Sequence, residues 1–400
     1  MKTLKISPIR HVRLFSTSNT TTTTSTTNPS SISNRVARSE LEREFDPDKA
    51  LSIYSSVSDH SNRTRDLTIK RLAKSHRFSE IETLIESQKE SPKITEEAFL
   101  STLIRSYGRA GMFDHALRTF DQMEELGTPR SVFSFNSLLL ACKVDQVPKV
   151  FNEISEKYKI SPDKISYGIL VKSYCESGSP ESALTVLKEM EEKNVEITAI
   201  TYTVLFDALY KKGNIEEGDK IWKEMAEKGL LDVTAFNVKI MRAHLGSPKD
   251  VLLLIDEMKL LGLNPDAITY NNLLICYCNN DLIEEAKKVY ESFEENKCVP
   301  NVATFTNIIY HLCKNGDFDK GFEVFEDSLK RDKLPKFTSM KYLVQGLFEK
   351  SKLEEVKKVI SIAKKKSPPI FVNGWKKIER DLGLNVEKEP APEETSSVPA

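Results

Sequence analysis

Several kinds of chemistry are excluded by what these 400 residues lack. No glycine-rich phosphate loop is present, although the chain holds 15 glycines, so nucleotide-phosphate chemistry of that type has no cradle. The six histidines, His11, His60, His76, His115, His244 and His311, are scattered. None begins a His-x-Glu pair, and none of the six cysteines forms Cys-x-x-Cys. A zinc site of the deaminase kind therefore has no ligand set. Cys142, Cys175, Cys276, Cys278, Cys298 and Cys313 fall mostly inside apolar stretches, where a thiol acts as a small buried hydrophobe. Reduced structural thiols, no metal and no cofactor are the expectation. No run of eighteen apolar residues occurs, so no segment reads as a membrane-spanning helix. A formal net charge of −1 gives no general attraction to phosphate or to lipid.

That balance conceals an asymmetry. Residues 1–39 hold Lys2, Lys5, Arg10, Arg13, Arg35 and Arg38 with no acid, and a Thr/Ser tract runs from Ser16 to Ser31. Basic, hydroxyl-rich and acid-free is the composition of an organelle leader, and 1–39 reads as a transit peptide without fixed structure. Arg13-Leu14-Phe15-Ser16 fits mitochondrial processing, with cleavage after Phe15. The mitochondrial matrix is the expected destination, with the plastid second. Setting those six charges aside turns the net of −1 into −7 for the remainder.

What is abundant is a repeated pattern. "NPDAITYNNLL" at 264–274 has relatives in "SPDKISYGIL" at 161–170, "EITAITYTVL" at 196–205 and "VPNVATFTNI" at 299–308. The anchors are Leu100, Phe135, Tyr167, Tyr202, Phe236, Tyr270, Phe305 and Met340, spaced by 35, 32, 35, 34, 34, 35 and 35 residues. Such a period marks a tandem array. After the anchor, Tyr270, Leu273, Leu274 and Tyr277, like Phe305, Ile308, Ile309 and Leu312, fall at i, i+3, i+4 and i+7, one face of an α-helix. Gly111, Gly178, Gly213 and Gly316 then end the first helix. The second helix carries a small residue, Ala116, Ala183, Gly218, Ala286 or Gly321, with a large one four positions on. The prediction is an all-α fold: an α-solenoid of about nine helix-turn-helix repeats of ~35 residues.

The units are placed at 62–96, 97–131, 132–163, 164–198, 199–232, 233–266, 267–301, 302–336 and 337–371. Residues 40–61 read as a linker and a degenerate N-terminal cap, whose 46–61 resembles a second helix. Residues 372–386, with Trp375 and Leu382, read as a C-terminal cap, and the Pro- and Glu-rich 387–400 as a disordered tail.

These residues resemble a pentatricopeptide repeat protein. "DAITYNNLLICYCNNDLIEEAKKVYESFEENKCVPN" at 266–301 and "DKISYGILVKSYCESGSPESALTVLKEMEEKNVEIT" at 163–198 carry the motif nearly throughout, and the resemblance spans roughly 46–371. Uniform units place it with the P-type subclass, in the short plant mitochondrial kind. The resemblance implies a right-handed superhelix that binds single-stranded RNA, one base per repeat, with no catalysis. The roles it implies are RNA processing or translation, including membership of a mitochondrial ribosome. Its partners would be mRNA or rRNA and mitochondrial ribosomal proteins, with no membrane and no small-molecule substrate. No nuclease-sized domain follows 371, and the deaminase tail of some family members is absent.

In that family each base is read by the residue after the anchor together with the last residue of the unit. Carried over here, Asn136 with Asp163 and Asn237 with Asp266 resemble the uridine pair, Thr203 with Asp232 the guanosine pair, and Asn271 with Asn301 a pyrimidine pair, more often cytidine. Gly168 with Thr198 and Thr306 with Lys336 depart from the pattern, as do Ser101 with Ser131 and Asp66 with Glu96. Ile165, Ile200 and Ile268 would flank the bases. Capping alone accounts for Asp163, Asp232, Asp266 and Asn301. It does not account for Asn or Thr one residue past the anchor, inside the first turn, which points to ligand contact. Three consecutive legible units, 199–301, would specify a triplet found about once per 32 nucleotides when each repeat reads one base. That is too common to select one transcript. The competing reading is a helical-repeat protein scaffold without RNA binding. The lysines at 364–366, 376 and 377 form a cluster that suits phosphate or plain solvation equally.

Overall fold

The structure is a computed structural model that describes residues 32–57 and 60–384. The expected cleavage after Phe15, the leader up to 31 and the tail at 387–400 lie outside the described residues.

Helix formation follows the repeated punctuation. α1 (Asn34–Arg43) and α2 (Pro47–Ser55) form a first hairpin, followed by α3 (Asn62–Lys74) with α4 (Phe78–Glu86). Next come α5 (Glu97–Arg109) with α6 (Phe113–Asp121), α7 (Val132–Leu139) with α8 (Val147–Tyr158), and α9 (Lys164–Glu176) with α10 (Pro180–Glu192). The centre holds α11 (Ala199–Lys212) with α12 (Ile215–Glu227), α13 (Val233–Ala243) with α14 (Pro248–Leu260), and α15 (Ala267–Asn279) with α16 (Ile283–Glu291). α17 (Val302–Lys314) with α18 (Phe318–Lys330), α19 (Phe337–Glu349) with α20 (Leu353–Lys366), and a single α21 (Pro369–Asp381) complete the chain. Three short 3-10 turns are the remaining helical elements among the described residues, which contain no strand.

Packing is between neighbours. Each odd-numbered helix from α5 to α17 lies against its own partner and against the next odd-numbered helix, as α5 does with α6 and α7, and α17 with α18 and α19. The even-numbered helices wedge between successive odd ones, as α10 does against α11. This is the quasi-one-dimensional contact pattern of a solenoid. All eight anchors are buried at its centre, and each contributes about 1.5–3 kcal/mol of burial. The tyrosine anchors also reach outward: the Tyr167 hydroxyl donates to Glu189 at 2.9 Å, and Lys193 bridges both. Tyr202, Glu224 and Lys228 repeat the arrangement one unit later.

Two features set the hairpin geometry. Gly213 ends α11 at φ +87°, a left-handed conformation that costs glycine little. Gly218 on α12 sits against the Tyr210 ring, where an added Cβ would fall 2.3 Å from the ring carbons. The small residue at this position leaves room for an aromatic ring from α11.

The N-terminal boundary differs from the sequence expectation. Residues 34–39, read there as leader, belong to α1, with Ala37 and Leu41 fully buried. Ser33 caps the helix, and the Asn34 side chain accepts from Ser61 N at 3.0 Å. The folded body thus begins by Asn34, and residues 40–57 are a complete hairpin with α1 rather than a linker. At the other end α21 starts at Pro369, three residues earlier than expected, and buries Trp375 against Phe337.

Candidate RNA interface

The first turns of the odd-numbered helices carry the candidate site. Asp163, Thr198, Asp232, Asp266 and Asn301 are the N-caps of α9, α11, α13, α15 and α17, and each accepts backbone N–H groups of its own helix. A cap of this kind contributes about 1 kcal/mol. Lys336 precedes α19 and makes no side-chain cap.

The residues after the anchors meet the cap that closes their own unit and opens the next helix pair. Asn136 Nδ2 donates to Asp163 Oδ1 at 3.1 Å, and Asn237 Nδ2 donates to Asp266 Oδ1 at 3.0 Å. Both asparagines are nearly buried, at 7% and 6% exposure. Asn271 Nδ2 lies 3.5 Å from Asn301 Oδ1. Thr306 Oγ1 accepts from the backbone N–H of Lys336 at 3.1 Å. Two pairs are not joined in this way. Thr203 turns its hydroxyl back to the Ala199 carbonyl at 2.8 Å, leaving Asp232 to cap Ala235 N alone. Gly168 offers no side chain to Thr198, which bonds within α11 through Thr201.

This gives the asparagines a role that capping and solvation did not. Asn136 and Asn237 brace the first helix of their unit against the N-cap of the following unit's first helix. The contact runs between residues 27 and 29 positions apart, which no local pattern reveals. The failure of capping to account for Asn136 and Asn237 therefore does not by itself assign them to a ligand.

Electrostatics favour an ionised cap. Burial by itself pushes the Asp163 carboxyl up, but the N–H groups of Ser166 and Ile165, the Asn136 amide and the Ser166 hydroxyl outweigh it and hold the group below the usual range. A charged acceptor strengthens each of these bonds.

Apolar residues flank the polar pairs. Ile165, Ile200 and Ile268 are 55%, 72% and 52% exposed, which is unusual for isoleucine. Phe133, at the same register ahead of Phe135, is exposed as well. Its place two residues before an anchor was the signal that could have found it. A groove of about 680 Å³ brings Ile200, Thr203 and Asp232 together with Lys172, Asp207 and Lys211. Arg242 pairs with Asp207 from the next unit at 2.9 Å. Among the described residues Lys211 has no ion-pair partner, leaving one cation beside the Thr203 and Asp232 pair. A further depression of about 440 Å³ holds Arg63, Lys70 and Arg109 with Asp66, which pairs with Arg109. Asp66 is thus neutralised rather than presented as a bare acid.

Stacked helical hairpins that present capped polar pairs between exposed aliphatic residues define a solenoid with a repeated polar edge. The chain belongs to the pentatricopeptide repeat family. Its model for the PPR repeat family matches residues 162–211 and 265–314, and the PPR repeat model matches 99–128, 200–230 and 303–332. The chain is 49% identical over 396 residues, 96% of each chain, to the small ribosomal subunit protein mL103 (rPPR7) of Arabidopsis thaliana. It is 47% identical to the mitochondrial pentatricopeptide repeat-containing protein At2g18520 of the same plant, across 94% of this chain and 92% of that one. The crystal structure of the pentatricopeptide repeat protein PPR10 from maize aligns at a TM-score of 0.45 and 15% identity, covering 88% of this chain and 59% of that one.

Proposed function

We propose that the chain binds single-stranded RNA in the mitochondrial matrix without catalysing a reaction, supporting RNA processing or translation as a component of the mitochondrial ribosome. The observation that carries this reading is its 49% identity, end to end, with a small ribosomal subunit protein. The similar mitochondrial relative and the acid-free basic N-terminus support the compartment.

Chemistry supports RNA as the ligand. Short amide, hydroxyl and carboxylate groups at helix starts can meet Watson–Crick edges, and exposed aliphatics can pack on base faces. The proposed contacts are Asn136 with Asp163, Thr203 with Asp232, Asn237 with Asp266 and Asn271 with Asn301. Gly168 with Thr198 and Thr306 with Lys336 contribute weaker ones, and Phe133, Ile165, Ile200 and Ile268 flank the bases. The net negative charge outside the leader makes nonspecific phosphate binding weak, and the readable run is short. Residence in a ribonucleoprotein particle removes the need for either.

The test is sedimentation of mitochondrial ribosomes carrying the tagged chain, combined with crosslinking and sequencing of attached RNA. Co-sedimentation with crosslinks to ribosomal RNA is expected. A chain found free of ribosomes and crosslinked to one messenger would replace this reading with a transcript-specific one.

One observation favours the competing protein scaffold: Asn136 and Asn237 already have internal partners and little exposure. The combined variant Thr203→Ala, Asn237→Ala and Asn271→Ala separates the two. An RNA reader loses affinity for RNA while its helices remain; a scaffold does not respond.

A further inference from the structure

A carboxamide is nearly symmetric in shape and opposite in chemistry at its two ends, one accepting and one donating. Which end an asparagine turns toward a base decides what it can recognise. At two units a carboxylate and a hydroxyl from the following unit set that choice together.

The Ser166 hydroxyl accepts from Asp163 N at 3.2 Å and donates to Asn136 Oδ1 at 2.6 Å. Asn136 Nδ2 donates to Asp163 Oδ1, which also accepts from the N–H groups of Ile165 and Ser166. The bonds close a ring across the unit boundary. Thr269 builds the same ring: it accepts from Asp266 N at 3.1 Å and donates to Asn237 Oδ1 at 2.6 Å, while Asn237 Nδ2 donates to Asp266 Oδ1. Within each ring the carboxylate can only accept, so it must face the NH2. The hydroxyl oxygen accepts a backbone N–H, and its proton goes to the nearer amide oxygen at 2.6 Å rather than to the carboxylate oxygen, 3.0 Å away from Ser166 and 3.2 Å from Thr269. Turning the amide over would set the amide oxygen against the carboxylate and leave the hydroxyl proton only its longer contact, to the carboxylate oxygen. The second amide N–H and the outer carboxylate oxygen take no part in the ring. Together they form a donor beside an acceptor, the complement of a carbonyl beside an imide N–H on uracil. Cytosine held in the same register sets an unprotonated ring nitrogen against the carboxylate oxygen, acceptor against acceptor.

The same chain contains open versions. At Asn271 the Thr304 hydroxyl lies 3.4 Å from Asn301 Oδ1, and Asn271 Oδ1 is buried with no hydrogen bond. At Thr203 the equivalent of Ser166 is Ala235, which has no hydroxyl, and no ring forms.

We infer that Ser166 and Thr269 are specificity-positioning residues: each fixes the amide of the preceding unit's asparagine, Asn136 or Asn237, so that the unit prefers uracil to cytosine. This rests on the RNA reading proposed above. Neither residue needs to touch the base, and their hydroxyls act through the ring alone.

The experiment uses the chain from residue 32 onward with a fully randomised single-stranded RNA pool, and sequencing of the bound fraction. The wild type is expected to enrich uracil over cytosine at two positions. Ser166→Ala combined with Thr269→Val should lower that enrichment by about fivefold or more, the lower end of one base-edge contact. Ser166→Thr combined with Thr269→Ser keeps both hydroxyls and should retain it. A gain-of-function pair covers the case in which the alanine and valine changes unfold the chain. Thr203→Asn alone should give a weak pyrimidine preference at its unit, and adding Ala235→Ser should sharpen it toward uracil. Enrichment that survives loss of both hydroxyls, or an Ala235→Ser change without effect, overturns this inference and leaves RNA binding standing. A wild-type chain with no base preference at any position overturns the readout and this inference together.

Discussion

Arg71 donates from Nε to the carbonyl oxygen of Glu44 at 2.7 Å and from Nη2 to that of Leu41 at 3.2 Å. Its guanidinium also lies over the Phe45 ring, 4.5 Å from the centroid. One side chain of α3 therefore satisfies carbonyls that α1 leaves open at its end, where a positive charge also suits the helix dipole. Charge-assisted bonds of this sort are worth about 1.5–3 kcal/mol each to a local structure. Arg71→Ala is expected to release α1 while leaving the central units folded. Hydrogen exchange should show lost protection confined to the first hairpins. Lysine cannot span both carbonyls in one plane, so Arg71→Lys should recover only part of it.

Gly108 of α5 lies tight against Ala141 in the turn that follows α7. A Cβ added there would lie 2.3 Å from Ala141 Cα, and backbone cannot yield as a flexible side chain can. Gly108→Ala is expected to destabilise that junction by about 1–3 kcal/mol, the usual effect of overpacking. An array need not unfold in one step, so the measurement is the exchange protection of α5 and α7 relative to α17 and α19. Equal protection in all four would refute the steric argument.

Why the hairpins could be read in advance and the bracing could not is a matter of sequence distance. Tyr270, Leu273, Leu274 and Tyr277 lie within one helix, so their spacing states their common face. Asp163, Asp232, Asp266 and Asn301 were legible as caps because a cap acts within three residues. The Asn237 to Asp266 bond joins α13 to the cap of α15, 29 residues on, and its donor looks like any polar residue of a first turn. α1 was missed for a different reason. Its buried stripe is only Ala37 and Leu41, too few apolar positions to stand out in a segment whose basic, acid-free stretch resembles a leader.

Trp375 closes the C-terminal end. It is fully buried, with its ring edge-on to Phe337 at 4.7 Å between centroids. Without it the apolar faces of α19 and α20 meet water. Trp375→Ala is expected to cost about 3–5 kcal/mol locally, as large-to-small changes do in cores. Because each hairpin leans only on its neighbours, the loss should appear in α19, α20 and α21 and fade toward α11. A uniform loss along the chain would mean that the array unfolds as a single cooperative body.

Thiol reactivity offers an independent check of burial. Desolvation pushes Cys278 and Cys313 up to about 12, so almost no thiolate exists at neutral pH, and the thiolate is the reactive form. Both should resist alkylation in the folded chain and react once denaturant is added. Modification of either at the rate of a free thiol under native conditions would contradict the core placement.

Asp163 supplies a pH dependence whose sign can be worked out. Its folded-state pKa lies below the usual value, since the surrounding N–H groups, the Asn136 amide and the Ser166 hydroxyl outweigh desolvation. Below the unfolded value of about 3.9 the unfolded chain takes up the proton first. The stabilisation is therefore complete above that value and is lost as pH falls through the lower, folded one. Asp163→Asn keeps an oxygen to cap α9 and removes the charge, reproducing the arrangement at Asn271 and Asn301. At neutral pH the variant should be less stable than the wild type at the junction of α7 and α9. Under acid conditions the two should converge, because the wild type loses what the variant never had. Exchange protection of α7 and α9 measured from neutral pH downward reads the difference directly. Parallel pH curves for the two proteins would show that the carboxylate charge contributes nothing to holding adjacent units together.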